Sequence, residues 1–125
     1  MAEKFGPIYE AMMKKNVVAY DTGDVDGAAE MYDDHGVVVD KKENKSYFGL
    51  EQIKQMIDGF IKMGKVEFKT SRKDFHDVGD GRFFVDADFE TTFVESGVVM
   101  KGNFHQLFHK KGDQYKCVYE VYSMQ

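Results

Sequence analysis

Three groups of side chains in this sequence have the types that do chemistry. The first is Arg72, which falls in a stretch of alternating apolar and polar residues. On the strand register its neighbours favour, it shares the apolar face with Phe89, Gln106 and Tyr119. A guanidinium held there can grip a ligand carboxylate through two parallel hydrogen bonds. It can equally sit at a sheet rim or pair with Asp74, Asp21 or Asp24 as scaffold, because a buried arginine normally comes with a partner. The second group is Tyr20, Tyr32 and Tyr119 with Asn16. Their hydroxyls can polarise a carbonyl as an oxyanion donor does, or they are amphipathic core residues with their tips in water. The third group, Asp88, His105 and Lys73, falls on the polar face of the same strands. Opposite charges there serve cross-strand pairing, worth a few tenths to about 1 kcal/mol each.

The remaining reactive types point to less. His35, His76 and His109 sit at element ends without ligand spacing, so neither a metal nor another cofactor is expected. Cys117 is the single cysteine, which leaves no internal disulfide and no cysteine-based zinc knuckle. It reads as a small interior hydrophobe with no histidine beside it to make it a nucleophile. Eight methionines suit an adaptable core or cavity.

These groups need a scaffold, and 125 residues with one proline and no low-complexity stretch make a single domain over 1–125. A net charge of −5 argues against nucleic acid, whose phosphates need clustered Lys and Arg. No apolar stretch approaches the roughly 20 residues that span a bilayer. The first residues, MAEKFGPIYEAMMKK, lack the apolar core of a secretory signal, and the expected location is cytoplasmic.

Periodicity divides the chain into a helical front and an extended back. Phe5, Ile8, Tyr9, Met12, Asn16, Ala19 and Tyr20 recur at helical spacing, with Pro7 placed in the first turn. Asp24 can cap a second helix with Val25, Ala28, Ala29 and Tyr32 on its apolar stripe, ended by Gly36. Val37-Val38-Val39 then reads as a short strand returning at Tyr47-Phe48, and a third helix runs from about Leu50 to Met63 and stops at Gly64. From Lys65 onward the period becomes two, with turns at Gly79-Asp80-Gly81, Ser96-Gly97 and Lys111-Gly112-Asp113. Four long strands result, 65–77, 82–94, 98–110 and 114–123. Strands of that length twist and bend around a filling, and the helices supply it.

A tight turn at Ser96-Gly97 sets Phe89 opposite Phe104 and Val85 opposite Phe108, with Phe83 and Ala87 on the same face; Asp88 then meets His105 behind them. Carried through the Lys111-Gly112 turn, this register puts Tyr115, Cys117, Tyr119 and Val121 on the apolar face and Leu107, Val118 and Tyr122 on the outer one. In the first long strand Val66, Phe68, Thr70, Arg72, Asp74 and His76 share the apolar face. Phe75 points the wrong way, so a bulge within that strand is expected to reset the phase.

Three helices with a small hairpin between the second and third, followed by a long bent sheet, resemble the nuclear transport factor 2-like superfamily. The likeness is carried by Asp24-Val25-Asp26-Gly27-Ala28-Ala29 with Met31-Tyr32, by Phe48-Gly49-Leu50-Glu51-Gln52-Ile53, and by the hairpin from Gln106 to Ser123. It implies an α+β cone: a curved antiparallel sheet wrapped around three N-terminal helices, closing on a pocket whose walls include Arg72, Gln106, Tyr119, Tyr32, Phe89, Phe104 and Cys117. The ketosteroid-isomerase branch implies Tyr20 and Asp40 as catalytic candidates; Asp40 is otherwise a turn residue. The tryptophan and paired histidines of the association-domain branch are Tyr115, Tyr119 and Val121 here, so the chemistry of those histidines does not carry over. The expected function is binding of a small apolar or acidic molecule, with isomerase or dehydratase-type proton transfer. The alternatives are a non-catalytic association module and a peptide-binding dimer like nuclear transport factor. The patch of Leu107, Val118 and Tyr122, with the resemblance, implies a homodimer.

Overall fold

The computed structural model describes residues 2–125. The first helix, α1 (Ala2–Asp21), is longer than its apolar stripe, so Pro7 lies inside it rather than in its first turn. The missing proline N–H leaves one carbonyl of the preceding turn without its helical bond. Phe5, Tyr9 and Ala19 are the buried part of the stripe. Thr22 Oγ1 donates to the Val18 carbonyl at 2.9 Å and Gly23 takes φ +71°, which ends the helix. Asp24 caps α2 (Val25–Ala29) by accepting from the Gly27 amide at 2.9 Å.

The second helix has only five residues, because the chain is already extended at Tyr32. Gly36 is no helix stop but a buried residue inside β1 (Tyr32–Asp40). β1 pairs with β2 (Lys45–Phe48), and α3 (Gly49–Lys62) follows, burying Ile53, Met56 and Ile57 and stopping at Gly64 with φ +104°. The long strands are β3 (Val66–Gly79), β4 (Arg82–Phe93), β5 (Val99–Lys111) and β6 (Gln114–Met124). The order across the open, six-stranded sheet is β2-β1-β6-β5-β4-β3.

The architecture is α+β, with helices against the concave face of a bent sheet, but the sheet is mixed. β1 runs parallel to β6, with Val37 beside Tyr119 and Val39 beside Val121. All other pairings are antiparallel.

Register departs from expectation in three strand pairings, each with a local cause. The β4–β5 connection is no two-residue turn. The Phe93 amide bonds the Val98 carbonyl and the Gly97 amide bonds the Phe93 carbonyl, enclosing four residues. This slides the pairing by two, so Ala87 meets Phe104 and Phe89 meets Gly102 while both faces are kept. In β3 the extra residues are Ser71 and, beside the turn, Val78: Thr70 pairs with Phe89 and Arg72 with Asp88, then Asp77 with Phe83 and Gly79 with Arg82. By the slip at Ser71 Phe75 is buried, and Arg72, Asp74 and His76 turn to the outside. In β6 the extra residue is Val118: Cys117 pairs with Phe108 and Tyr119 with Leu107. Tyr119 and Val121 therefore face outward, and Glu120 and Tyr122 face the helices.

Aromatic rings fill the narrow end. Phe5 stacks on Phe83 at 4.5 Å, Phe83 on Phe108 at 5.0 Å, and Tyr9 packs edge-on to Phe75 and Phe108 at 5.6 and 5.8 Å. Towards the wide end Phe89 lies flat over the β5 backbone at Gly102. A Cβ there would stand 2.6 Å from the Phe89 ring and closer still to the Ser123 carbonyl. Gly102→Ala is expected to lose about 1–3 kcal/mol, the usual cost of overpacking a well-packed wall, as a lower urea midpoint at unchanged m-value.

Candidate functional site

The wide end of the cone is a cavity of about 510 Å³, within the range that small-molecule sites occupy. α1 contributes Met13, Asn16 and Tyr20 to its wall, β1 Tyr32, and α3 Met56 and Phe60. The sheet contributes Phe68, Phe89 and Phe104 together with Gln106, Glu120 and Tyr122. Apolar surface dominates, and the polar groups converge at one place.

That place is Glu120, only 7% exposed. Its Oε1 accepts two hydrogen bonds, from Gln106 Nε2 at 2.6 Å and from the Tyr32 hydroxyl at 2.9 Å. The Gln106 amide is oriented from both ends, its Nε2 donating to the carboxylate and its Oε1 accepting from the Tyr9 hydroxyl at 3.1 Å. Tyr9 thus fixes Gln106, and Gln106 with Tyr32 fixes Glu120. Glu120 Oε2 takes no hydrogen bond among the described residues, yet no sealed side-chain oxygen lacks a partner there. The free oxygen therefore opens onto the cavity that Glu120 lines. With Oε1 engaged as a double acceptor, a proton on this carboxyl sits on Oε2, pointing at whatever the cavity holds.

Burial pushes the Glu120 carboxyl above the ordinary glutamate range, against the opposing pull of its Gln106 and Tyr32 donors. Burial, reinforced by the Glu120 charge, likewise raises the hydroxyls of Tyr9, Tyr20 and Tyr32, so all three remain proton donors at neutral pH. The Tyr20 hydroxyl has no protein partner among the described residues and is not sealed from the cavity. Asn16 is committed to scaffold, its Nδ2 donating to the Ala28 carbonyl at 3.0 Å to tie α1 to α2.

Of the residues expected at the pocket, Tyr20, Tyr32, Phe89, Phe104 and Gln106 lie on its wall. Arg72 does not. The bulge at Ser71 turns it to the outer face, where it pairs with Asp74, Asp86 Oδ1 at 2.8 Å and Asp88 Oδ2 at 2.9 Å. Asn103 Nδ2 completes the group by donating to Asp86 and Asp88 at 3.0 and 3.1 Å. Three carboxylates occupy the guanidinium fully, so it is no clamp for a ligand acid. Tyr119 is also outside, by the bulge at Val118, and is 43% exposed. Cys117 is interior but walled off in the packed core, with burial raising its thiol. Asp40 lies at the end of β1 away from the cavity wall. It accepts from the Tyr122 hydroxyl at 3.0 Å and the Glu43 amide at 3.1 Å, which holds the β1–β2 turn. Glu120, absent from the sequence expectation, was signalled by Gln106: an amide on an apolar face needs a polar partner opposite.

Among the described residues, no helix is long and apolar enough to cross a membrane, and no three His, Cys, Asp or Glu side chains are placed to hold a metal ion.

Known structures share this architecture. A Xanthomonas campestris protein, provisionally assigned as a calcium/calmodulin-dependent protein kinase II association domain, superposes with TM-score 0.82 at 16% identity, over 94% of this chain and 85% of that one. A provisionally assigned scytalone dehydratase from Novosphingobium aromaticivorans gives 0.80 at 14% identity, over 95% and 83%. A ketosteroid isomerase-like protein from Erwinia carotovora gives 0.67 at 16% identity, over 94% of each chain. Others are nuclear transport factor 2-like proteins of unknown function from Shewanella oneidensis and Pseudomonas putida. At these identities the likeness is one of fold, and the chain has the nuclear transport factor 2-like fold. No protein-family model matches the sequence, and no curated protein does.

Two outcomes follow from the Glu120 network. A carboxyl whose folded pKa is raised binds its proton more tightly in the native state, so native stability falls as pH climbs from the unfolded value to the folded one. Glu120→Gln removes that slope, and urea titrations from pH 4 to pH 8 are expected to show the variant gaining on the wild type across that window. Tyr9→Phe leaves Gln106 Oε1 without its donor and is expected to cost about 1–3 kcal/mol in the same assay.

Proposed function

We propose that the cone binds a small, largely apolar molecule and that Glu120 moves a proton on it, in chemistry of the isomerase or dehydratase kind. The observation that carries this reading is the division of labour on one carboxyl: Oε1 is held by two donors and Oε2 is free at the cavity. Burial raises its proton affinity above that of an ordinary carboxylate, which favours exchange of a proton with a bound molecule. As a base, Glu120 takes a proton from carbon; as the resulting acid, it returns that proton to another atom of the same molecule. The Tyr20 hydroxyl on the same wall is the donor available to an oxygen on which charge develops. The names of two fold neighbours, a scytalone dehydratase and a ketosteroid isomerase-like protein, accord with this class of reaction.

A second reading concerns assembly. Val37, Tyr119, Leu107 and Phe84 form one row across the outer face of the sheet, beside the charged group around Arg72. We infer that this row meets its copy in a homodimer, independently of what the cone holds.

Nitrobenzisoxazole tests the first reading, because it opens to a nitrile and a phenolate when a base removes its carbon-bound proton. Turnover above background is expected, rising with pH to a plateau whose midpoint lies above the ordinary carboxylate range. Glu120→Gln is expected to lower it by about a hundredfold or more. A wild type at background, or an equally active variant, overturns the reading. For the second, light scattering at micromolar concentration is expected to give twice the mass of one chain, and the single-chain mass for Tyr119→Glu.

A further inference from the structure

We propose that the molecule held in the cone carries a basic nitrogen, whose ammonium form is seated on Glu120 Oε2. This rests on the cone being a ligand pocket, as proposed above, but not on Glu120 taking a proton from carbon: while an ammonium group occupies Oε2, that oxygen does not act as a base.

Among the described residues the cavity is lined by two carboxylates and one ammonium group. Asp21 and Lys65 are exposed at the mouth, while Glu120 is buried. α3, β3 and β4 bring no charged side chain to the wall. The one arginine that could have reversed the balance, Arg72, is outside and occupied by three aspartates. The interior is therefore a carboxylate site with no protein cation to match it.

A carboxylate taken out of water without a counter-ion is costly. Gln106 and Tyr32 relieve part of that cost at Oε1. At Oε2 there are two ways to meet the rest: a proton, or a cation brought by the ligand. Every other titratable group facing Glu120 stays neutral through the physiological range. These are Tyr9 and Tyr20 from α1, Tyr32 from β1, and Cys117 and Tyr122 from β6, each with its proton held more tightly by burial. Glu120 is therefore the group whose charge sets which ligand charge is welcome in the interior.

An alkylammonium ion entering from water replaces the Oε2 proton, where one is present, and that proton leaves to solvent. No bond to carbon changes and no co-reactant is needed. The rest of the wall, Phe60, Phe68, Phe89 and Phe104 among it, is apolar and suits the hydrocarbon part of such an amine. A carboxylic acid fares worse, because it sets a second carboxyl against the first with a single proton to share. The expectation that the pocket suits an acidic molecule reverses with the position of Arg72.

The test uses three probes with one skeleton: phenylbutylamine, phenylbutanol and phenylbutanoate, titrated calorimetrically into the wild type and Glu120→Gln at pH 7. The amine is expected to bind about tenfold or more tighter than the alcohol, the value of one charge-assisted contact, with the carboxylate weakest. Glu120→Gln is expected to lose the amine's advantage over the alcohol, with residual binding of the alcohol, at whatever affinity, reporting a folded pocket. In the wild type alone, the advantage should shrink as pH falls and Oε2 is protonated, which keeps the test decisive if the variant does not fold. If the alcohol binds but the amine binds no better, or the carboxylate matches the amine, this proposal is overturned and the pocket stands. If none of the three binds, the pocket reading falls and this one with it. Activity on nitrobenzisoxazole without amine preference separates proton abstraction from ligand class.

Discussion

In an extended strand the side on which one residue points dictates the side of the next, and an inserted residue exchanges the two faces. β3 has one such insertion at its turn end, Val78, and β3 and β6 each have one in mid-strand, Ser71 and Val118. Between them the two mid-strand residues determine the electrostatics of the molecule. Val118 turns Glu120 inward and Tyr119 outward; Ser71 turns Phe75 inward and Arg72 outward. Undo the first and a tyrosine stands where the buried carboxyl is. Undo the second and a guanidinium enters the cone. Bulges also bend strands, so the same insertions help to curve the sheet around its helices.

Once Glu120 is inside, the rest of the polar interior is constrained to serve it. A buried carboxyl needs donors, and the chain Tyr9–Gln106–Glu120 with Tyr32 supplies them from α1, β5 and β1. The network couples four elements, α1, β1, β5 and β6, and it stands where the two aromatic groups meet. On one side are the stacked rings of Phe5, Phe83 and Phe108, which fill the narrow end. On the other are Phe68, Phe89 and Phe104, whose mutual packing leaves a cavity in front of them. One end of the cone is thus spent on stability and the other on space.

Much of this was legible in the residues. The stripe from Phe5 to Tyr20 marks α1, the cap at Asp24 and the stop at Gly64 are where turn chemistry requires them, and the two faces of β4 and β5 are sorted correctly by alternation. What alternation cannot reveal is a change of phase in mid-strand. Phe75, an aromatic on the wrong face, gave the bulge in β3 away, yet Arg72 three residues earlier was still counted inside because the slip was not placed before it. In β6 alternation misleads, because it groups Glu120 with Lys116 on the polar face while tyrosine and valine suit either face, and nothing local marks Val118. The partner strand holds the missing information: Gln106 among apolar neighbours demands a polar side chain opposite, and only the slipped register provides one. The β4–β5 register erred by two rather than one for a related reason, since a slip of two leaves both faces unchanged and alternation is blind to it.

The position of β6 has a consequence for synthesis. It is the last of the six strands in chain order, yet it lies in the interior of the sheet, between β1 and β5. A chain emerging from the ribosome must therefore hold β1 and β5 with one bare edge each until β6 arrives to fill both, and long-range pairings of this kind are slow to form. The carboxyl of Glu120 travels on that same strand. No partly assembled chain, however complete its helices, can display the interior carboxyl before the sheet is joined across the middle. Closure of the sheet and appearance of the site are a single event.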